Sequence, residues 1–334
     1  MTLLRLPVED ASHVAEARRE AVELATGLGF DEVQAGRVAL AVTEAATNLL
    51  KHAQRGEILA GCIARGGAEG MEFYVLDRGP GIADVAASLR DGMSSAGSAG
   101  IGLGALSRLS SRFDVYTQRG KGTVMHFEIW PRPHDEVSSE GVDAAALCVA
   151  KPGEEVAGDA WLLREAKGRL VVLLVDGLGH GPDAAAAAAT ARKFVWDHWD
   201  DEPAELVEGM HQALKSTRGA AAAVVALKPA THVGAYCGVG NIACSVHAAG
   251  ASRSLVSHNG TLGYNMRKIQ EFPFPFPAGA LLIAHSDGIG TRWDLGAYPG
   301  LESRSPALIA AALYRDHERG RDDATVAVLR NASV

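Results

Sequence analysis

A polar, proline-bearing segment without hydrophobic periodicity interrupts the chain at residues 131–140, PRPHDEVSSE. This composition is typical of a linker, because it offers no apolar face that a helix or strand could bury. The chain has 334 residues, and domains average roughly 150, so the stretch on either side is long enough to bury its own core. We therefore predict two domains, residues 1–131 and 142–331, with a linker at residues 132–141.

Charge and cysteine content argue against several classes of protein. The formal net charge is −8, and no cluster of lysine and arginine offers a surface for nucleic acid. The four cysteines contain no CxxC pair, so neither a disulfide framework nor a zinc site is indicated. The opening residues lack an apolar run of signal-peptide length, and no stretch reaches the roughly 18 apolar residues that span a bilayer. We expect a cytoplasmic protein without a nucleic-acid or membrane partner.

Hydrophobic periodicity predicts helices and strands in both halves. In the first half we predict helices at residues 10–29, 30–53 and 105–111, and strands at 58–64, 71–76, 113–118 and 123–130. In the second half we predict strands at residues 170–175, 221–227, 233–239, 243–247, 281–285 and 325–329, and helices at 183–199, 203–216 and 306–320.

The second predicted helix carries a polar group beside its apolar stripe. The stripe consists of Val38, Val42, Ala45 and Leu49. Glu44, Asn48 and Lys51 share a neighbouring face, because residues three and four apart meet on a helix. An acid and an amide held in this way can serve as a general base and a ligand of a nucleotide-bound Mg²⁺. The alternative is an ordinary solvated helix face.

Two glycine-bearing turns follow. The first, Asp77-Arg-Gly79-Pro-Gly81, comes directly after an apolar strand, which suits a buried carboxylate that accepts from the exocyclic amine of a base. The second, GSAGIGLG at residues 97–104, opens a helix, and such a turn presents N–H groups to phosphates. Alone, a glycine loop is as readily a flexible connector; three such elements in this order indicate a nucleotide site.

These three elements resemble the N, G1 and G2 boxes of the GHKL ATPase superfamily, which includes histidine kinases, gyrase and heat-shock ATPases. DRGPGI at residues 77–82 and DGM at residues 91–93 are most similar to small anti-sigma-factor kinases of the RsbT type, over roughly residues 1–131. The resemblance implies that Glu44 is the general base toward a target serine, Asn48 a Mg²⁺ ligand and Asp77 the adenine partner of ATP. The nucleotide-loop positions it implies are Gly79, Gly81, Gly97, Gly100, Gly102, Leu103 and Gly104.

Four acidic turns mark the second half. They are GDAW at residues 158–161, DGLGHG at 176–181, HSDG at 285–288 and RDDAT at 321–325. Two of them end apolar strands, so their carboxylates would emerge at a sheet edge and could converge. Close carboxylates repel one another and raise their own pKa values, a conflict that divalent metal resolves. Two ions can activate a water toward a phosphorus centre, and all-oxygen ligation favours Mn²⁺ or Mg²⁺. Taken singly, each Asp-Gly pair is as well explained by an ordinary turn.

DGLGHG, HSDGI with the following TRWDL, and RDDATVAVL resemble the PPM-type metal-dependent phosphatases, in particular the SpoIIE and RsbX group, over roughly residues 142–331. The metal-site residues that this resemblance implies are Asp159, Asp176, Asp287, Asp322 and the backbone carbonyl of Gly177. Asp323 could replace Asp322. His180 is either a proton donor or a support of its turn. Eukaryotic members place an arginine ahead of the first acidic motif to grip phosphate, and no counterpart precedes Asp159.

Together the resemblances imply an α/β (α+β) chain. An N-terminal GHKL α/β sandwich, with a mixed sheet covered by helices on one face, would precede a C-terminal αββα PPM sandwich with two Mn²⁺ or Mg²⁺ at one sheet edge. The implied function is a bifunctional regulator of a partner-switching pathway that phosphorylates and dephosphorylates a STAS-domain antagonist. A downstream phosphatase, a sigma factor or another switch protein are further candidate partners. The alternatives are an ATP-binding docking switch attached to an active phosphatase, and a degenerate phosphatase scaffold.

Overall fold

The structure is a computed structural model that describes residues 2–53, 56–90, 102–132, 141–266 and 268–332. By their contacts the residues divide into two compact units. The first consists of Leu3–Val137 and Leu295–Arg315, and the second of Met1–Thr2, Ser138–Asp294 and Asp316–Val334. The membership of Leu295–Arg315 in the first unit was not anticipated from the sequence. The domain boundaries drawn above stay a prediction.

The first unit is a five-stranded sheet with helices packed on it. Its elements are β1 (Leu4–Val8), α1 (Ala11–Gly27), α2 (Glu32–His52), β2 (Gly56–Arg65), β3 (Ala68–Asp77), α3 (Val85–Leu89), α4 (Leu103–Leu109), β4 (Arg112–Gln118) and β5 (Gly122–Ile129). The strand order is β1-β2-β3-β5-β4, and every described pair is antiparallel. The predicted mixed sheet is therefore wrong. Strands β2 and β3, like β4 and β5, are joined by short turns, which only antiparallel neighbours permit.

Helix α2 carries the residues predicted to bind nucleotide. Its N-terminus is closed by a reciprocal cap, in which the Gln34 N–H donates to the Asp31 side chain and the Asp31 N–H donates to the Gln34 side chain. The predicted apolar stripe is buried in the core of the unit: Val38, Val42, Ala45 and Leu49. Because this stripe fixes the rotation of the helix, the direction of the neighbouring polar face is fixed as well.

The second unit contains two five-stranded sheets. Its elements are β6 (Val142–Val149), β7 (Asp159–Ala166), β8 (Arg169–Gly177), α5 (Pro182–Asp197), α6 (Pro203–Ala213), β9 (Ala220–Lys228), β10 (Val233–Val239), β11 (Ala243–Ala248), β12 (Ala251–Leu255), β13 (Gly260–Thr261), β14 (Asn265–Met266), β15 (Phe272–Pro275), β16 (Leu281–His285) and β17 (Ala324–Asn331). The sheets run β15-β10-β9-β8-β7 and β12-β11-β16-β17-β6. Between β16 and β17 the chain forms α7 (Pro306–His317), whose residues as far as Arg315 belong to the first unit.

Strand β8 shows how this unit is layered. Leu170, Val172 and Leu174 face the core between the two sheets. Val171, Leu173 and Val175 face the opposite way, into a core shared with α5 and α6. A strand that is covered on both faces has a continuous run of apolar residues, and β8 has such a run at residues 170–175. The prediction of an α/β chain is confirmed. Among the described residues, none of the helices combines the length and apolar character needed to cross a membrane.

Candidate active sites

In the first unit, α2 brings the predicted base and the predicted metal ligand together. Glu44 and Asn48 lie one turn apart, and both are half-buried. Burial raises the pKa of Glu44, while the Lys51 charge and a hydrogen bond from Asn48 lower it. The carboxyl and the amide therefore contact each other, as the spacing predicted. A partly desolvated carboxylate is a stronger proton acceptor than one in water, which suits a general base.

Asp77 ends β3 and is only 9% exposed. Its Oδ1 accepts from the backbone N–H of Gly79 at 2.7 Å and of Thr123 at 3.2 Å. Burial raises the pKa of Asp77; the two backbone hydrogen bonds and then the Arg315 charge lower it. These contacts fix the direction of the carboxyl group, as recognition of a base by a single side chain requires.

The glycines after Asp77 are needed for packing within the unit. A Cβ on Gly79 would lie 2.6 Å from the carbonyl oxygen of His52, at the end of α2. Gly81 has φ of +77°, and a Cβ there would lie 2.7 Å from the carbonyl oxygen of Gln118. The turn thus presses against both α2 and the hairpin of β4 and β5. A side chain at either position would displace the loop that carries Asp77.

The predicted phosphate loop is only partly described. Gly97, Gly100 and the DGM motif at residues 91–93 lie outside the described residues. Gly102 precedes α4 without a side-chain cap, and Leu103 and Gly104 are buried in its first turn. The roles predicted for all these residues stay predictions.

In the second unit, the antiparallel register of β7 and β8 places Asp159 directly opposite Asp176. Directly opposed residues on neighbouring strands have Cβ atoms about 5 Å apart, so the two carboxyl groups are neighbours. The Gly177 N–H donates to the carbonyl oxygen of Gly158 at 3.0 Å, which continues the pairing to the end of β8. Two of the predicted acidic turns therefore meet at one sheet edge.

Burial and the charges of neighbouring carboxylates raise the pKa values of these two carboxyls. For Asp176, burial is the largest cause, the charges of Asp159 and Asp287 add to it, and the pKa rises to about 8. For Asp159, burial raises the pKa to about 7, against the opposing effect of the Ser286 and Thr325 hydroxyls. This is the conflict that the sequence predicted for converging carboxylates.

Asn241 joins the third acidic turn to the edge. Its Nδ2 donates to Asp287 Oδ2 at 2.8 Å and lies 3.3 Å from Asp176 Oδ2. The hydrogen bond to Asp176 lowers the pKa of that carboxyl, so the amide offsets part of the repulsion. Sequence reasoning missed Asn241. The available signal was the sequence GVGN at residues 238–241, with which β10 ends, a strand of the same sheet as β8.

The adjacent acids Asp322 and Asp323 differ in their contacts. The two carboxylate oxygens of Asp323 accept from the backbone N–H groups of Lys151 and Gly158, both at 2.8 Å. Asp322 Oδ1 accepts from the N–H of Asp323 at 3.0 Å, and its charge is among the causes that raise the pKa of Asp176. Asp323 therefore anchors a backbone loop with both its oxygens, which Asp322 does not, although the charges of both acids raise the pKa of Asp159.

Two further contacts shape the rim of this edge. Nδ1 of His180 lies 2.6 Å from Glu154 Oε1, in a pair that is partly exposed. A Cβ on Gly288 would lie 1.9 Å from the carbonyl oxygen of Asp323, so the backbone of the HSDG turn presses against the RDDAT turn. The first contact orients the imidazole, and the second brings the last two acidic turns together.

The acidic edge, which consists of Asp159, Asp176, Asp287 and Asp322, fits a divalent cation, although its side chains do not form a complete coordination shell. In the part of the chain that the structure describes, no three His, Cys, Asp or Glu side chains surround one point as a complete metal site. However, Oδ2 of Asp159 is buried without a hydrogen-bond partner, which costs free energy unless a cation or a proton satisfies it. The converging donors are all oxygens, the preference of Mg²⁺ and Mn²⁺.

Comparison with known proteins matches the two parts of the chain to two different families. Residues 7–129 match the histidine kinase-like ATPase domain, and residues 166–331 match Stage II sporulation protein E (SpoIIE). Serine/threonine-protein kinase RsbT of Bacillus subtilis (strain 168) is 33% identical over 119 residues, 36% of this chain and 90% of RsbT. Phosphoserine phosphatase RsbX of the same organism is 25% identical over 152 residues, 45% of this chain and 76% of RsbX.

Two solved structures share a fold with more than half of this chain. One, described as the bacterial stressosome, a modular system adapted to control secondary messenger signaling, has a TM-score of 0.54 at 27% identity, covering 57% of this chain and 100% of its own. RsbX in complex with magnesium has a TM-score of 0.51 at 23% identity, covering 57% and 96% respectively.

These matches give the chain the domain architecture of a partner-switching regulator, in which a kinase-like ATPase part precedes a PPM-type phosphatase part. The chain belongs to the histidine kinase-like ATPase family through its RsbT-like N-terminal part, and its C-terminal part is a SpoIIE-type phosphatase domain related to RsbX. Both resemblances drawn from the sequence are confirmed.

The raised pKa values predict that the metal-free protein loses stability as pH rises. In the unfolded chain these carboxyls release their protons near the ordinary aspartate pKa of 3.8, whereas in the folded chain the pKa values of Asp159 and Asp176 are about 7 and about 8. The folded state thus binds more protons in this window, and stability falls with rising pH. In thermal melts with EDTA, we expect Tm to decrease from about pH 5 to about pH 8, and the gain in Tm on adding Mn²⁺ to increase. An Asp176→Asn control should flatten the EDTA curve; a wild-type Tm that rises with pH would contradict the assignment.

Proposed function

We propose that the chain phosphorylates a serine of a STAS-domain antagonist protein with its first unit and removes phosphate from phosphoserine or phosphothreonine with its second. The observation that carries this proposal is the group of repelling carboxyls where β7 begins and β8 ends, with Asp159 buried and Asp176 half-buried. The same chain also brings Glu44 into contact with Asn48 on α2. The named activities of RsbT and RsbX support the same pair of reactions.

In the phosphatase part, we assign four carboxylates to the metals. They are Asp159, Asp176, Asp287 and Asp322, with the backbone carbonyl of Gly177 as a further ligand. Two Mn²⁺ or Mg²⁺ ions bound there supply a water of lowered pKa for attack on phosphorus. Asp323 is assigned to the loop, because both its oxygens accept backbone N–H groups. His180, which Glu154 orients, is proposed to donate a proton to the leaving serine oxygen.

In the kinase part, Glu44 accepts the proton of the target serine, Asn48 helps to hold the Mg²⁺ of bound ATP, and Asp77 accepts from the adenine amine. Phosphoryl transfer depends chiefly on positioning and charge neutralisation, so these few groups suffice. Joining the two activities in one chain raises the local concentration of each for a shared substrate. We place this switch in the cytoplasm, upstream of a sigma factor or another switch protein.

A two-way assay tests the proposal. With γ-labelled ATP and Mg²⁺, the metal-replete full chain should label the serine of a purified STAS-domain protein. With Mn²⁺ and without ATP, it should release that label as inorganic phosphate, and EDTA should stop the release until excess Mn²⁺ is restored. Release that continues at full rate in EDTA, or the absence of label from every STAS protein tested, would overturn the corresponding half of the proposal.

A further inference from the structure

Arg315 is buried beside the predicted adenine partner. Its side chain is 5% exposed, and its Nη1 donates to the backbone carbonyl oxygen of Asp77 at 3.2 Å. In return, the Arg78 guanidinium donates to the backbone carbonyl oxygen of Arg315. A buried guanidinium requires such partners, because an unpaired charge in the interior is costly. The contacts link Arg315 to the last residue of β3 and to the residue that follows it.

The middle of the same segment is held on β4. Ser305 Oγ donates to Asp114 Oδ2 at 2.8 Å, and Arg304 Nη1 lies 3.7 Å from Asp114 Oδ1. The segment Leu295–Arg315, which belongs to this unit, is therefore anchored at two places on the sheet. It lies outside residues 7–129, which match the ATPase domain. The nucleotide unit thus contains a segment that the SpoIIE match covers and the ATPase match does not.

Neighbouring atoms hold both the backbone and the carboxyl group of Asp77 in place. A Cβ on Gly122 would lie 2.1 Å from the Asp77 carbonyl oxygen, so the β4–β5 hairpin presses on the same atom that Arg315 binds. The side-chain Oδ1 is held by Gly79 and Thr123. A shift of the Asp77 backbone would consequently move the carboxyl group that is assigned to the base. Its effect on base recognition would exceed its effect on the triphosphate, for which the predicted phosphate loop, not Asp77, is the proposed binding element.

We propose that Arg315 is a positioning residue for base recognition by Asp77, so that the segment Leu295–Arg315 sets the selectivity of the site for adenine over guanine. The inference rests on the proposed ATP site. Guanine carries an oxygen where adenine carries its amine, so a correctly placed carboxylate accepts from adenine and repels guanine. Selectivity of this kind depends on the direction of the acceptor more than on overall affinity.

The test measures dissociation constants of the full chain for ATP and for GTP with Mg²⁺, by calorimetry. We expect Arg315→Gln to weaken ATP binding about tenfold, the loss of roughly one charge-assisted hydrogen bond, with GTP affinity changed less than about threefold. Arg315→Lys keeps the positive charge but not the forked geometry of the guanidinium. It should therefore reduce the preference for ATP over GTP, measured as the ratio of their dissociation constants, by a smaller factor than Arg315→Gln does.

The matched control is Arg169→Gln, which removes another buried arginine whose guanidinium donates to backbone carbonyls, those of Asp200 and Asp201, in the second unit. The ratio of the dissociation constants for ATP and GTP should be the same in this variant as in the wild-type chain. If the affinities for ATP and GTP fall by the same factor in the Arg315 variants, the ratio of the two dissociation constants is unchanged. That result would show a merely structural role for Arg315 and would overturn the inference. If Arg315→Gln does not fold, the Arg315→Lys ratio decides. A wild-type chain that binds no ATP would overturn the proposed kinase site, and this inference with it.

Discussion

Asp176→Asn is expected to abolish metal-dependent phosphatase activity, lowering kcat by about a thousandfold, or about 4 kcal/mol of transition-state stabilisation. Asp176 lies directly opposite Asp159 and receives the Asn241 amide, so it is the point where three acidic turns meet. An amide has nearly the shape of the carboxylate but no negative charge. The substitution therefore removes charge from the metal site while it preserves the packing of β8.

The readout is Mn²⁺-dependent release of phosphate from a phosphoserine protein, together with the affinity for Mn²⁺ by calorimetry. Both should fall in the variant. Asp183→Asn is a suitable control, because Asp183 lies at the start of α5 and forms only a largely exposed ion pair with Arg218. We expect its activity to stay within about twofold of wild type, since exposed ion pairs contribute little. If the Asp176→Asn protein has the kcat of wild type, the sheet edge around Asp176 is not the catalytic centre.

Local sequence pattern predicted most of the fold, and its failures have a common cause. Strands with long apolar runs, such as β8 and β16, were predicted close to their observed ends. Strands β6 and β7 were missed. The former, VDAAALCV, is rich in alanine, and the latter, DAWLLREA, ends in charged residues. Their pairing with β17 and β8 is a tertiary contact, and such contacts override weak local preference.

The acidic residues were identifiable because two of their four turns follow apolar strands. The separate roles of the individual acids were not identifiable in this way. Asp322 and Asp323 are equivalent in sequence, and only the N–H groups of Lys151 and Gly158 distinguish them. Asn241 and Arg315 were missed altogether, since each meets its partners only after distant segments have folded together. A polar residue in a common turn or an arginine in a helix carries no local signal of such a role.

The second large effect concerns the kinase part: Glu44→Gln is expected to reduce phosphorylation of the STAS serine by about 10²–10⁴-fold, the contribution of a positioned general base. Gln retains the size of the side chain and a carbonyl oxygen that can accept the hydrogen bond from Asn48. Burial, which raises the pKa of Glu44, makes its carboxylate a better base than an exposed glutamate, and the amide cannot accept a proton at all. ATP affinity should change by less than about threefold, because the base acts on the protein substrate.

The control is Glu32→Gln, in the exposed first turn of the same helix, which should label the STAS protein at the wild-type rate. Measuring ATP affinity beside the labelling rate separates the two functions considered for this part. A kinase loses transfer and keeps binding when Glu44 is replaced. A docking switch binds ATP equally with and without Glu44 and transfers no phosphate in either form. If Glu44→Gln labels the STAS protein at the full rate, Glu44 is not the general base. Phosphoryl transfer would then depend on positioning and metal alone.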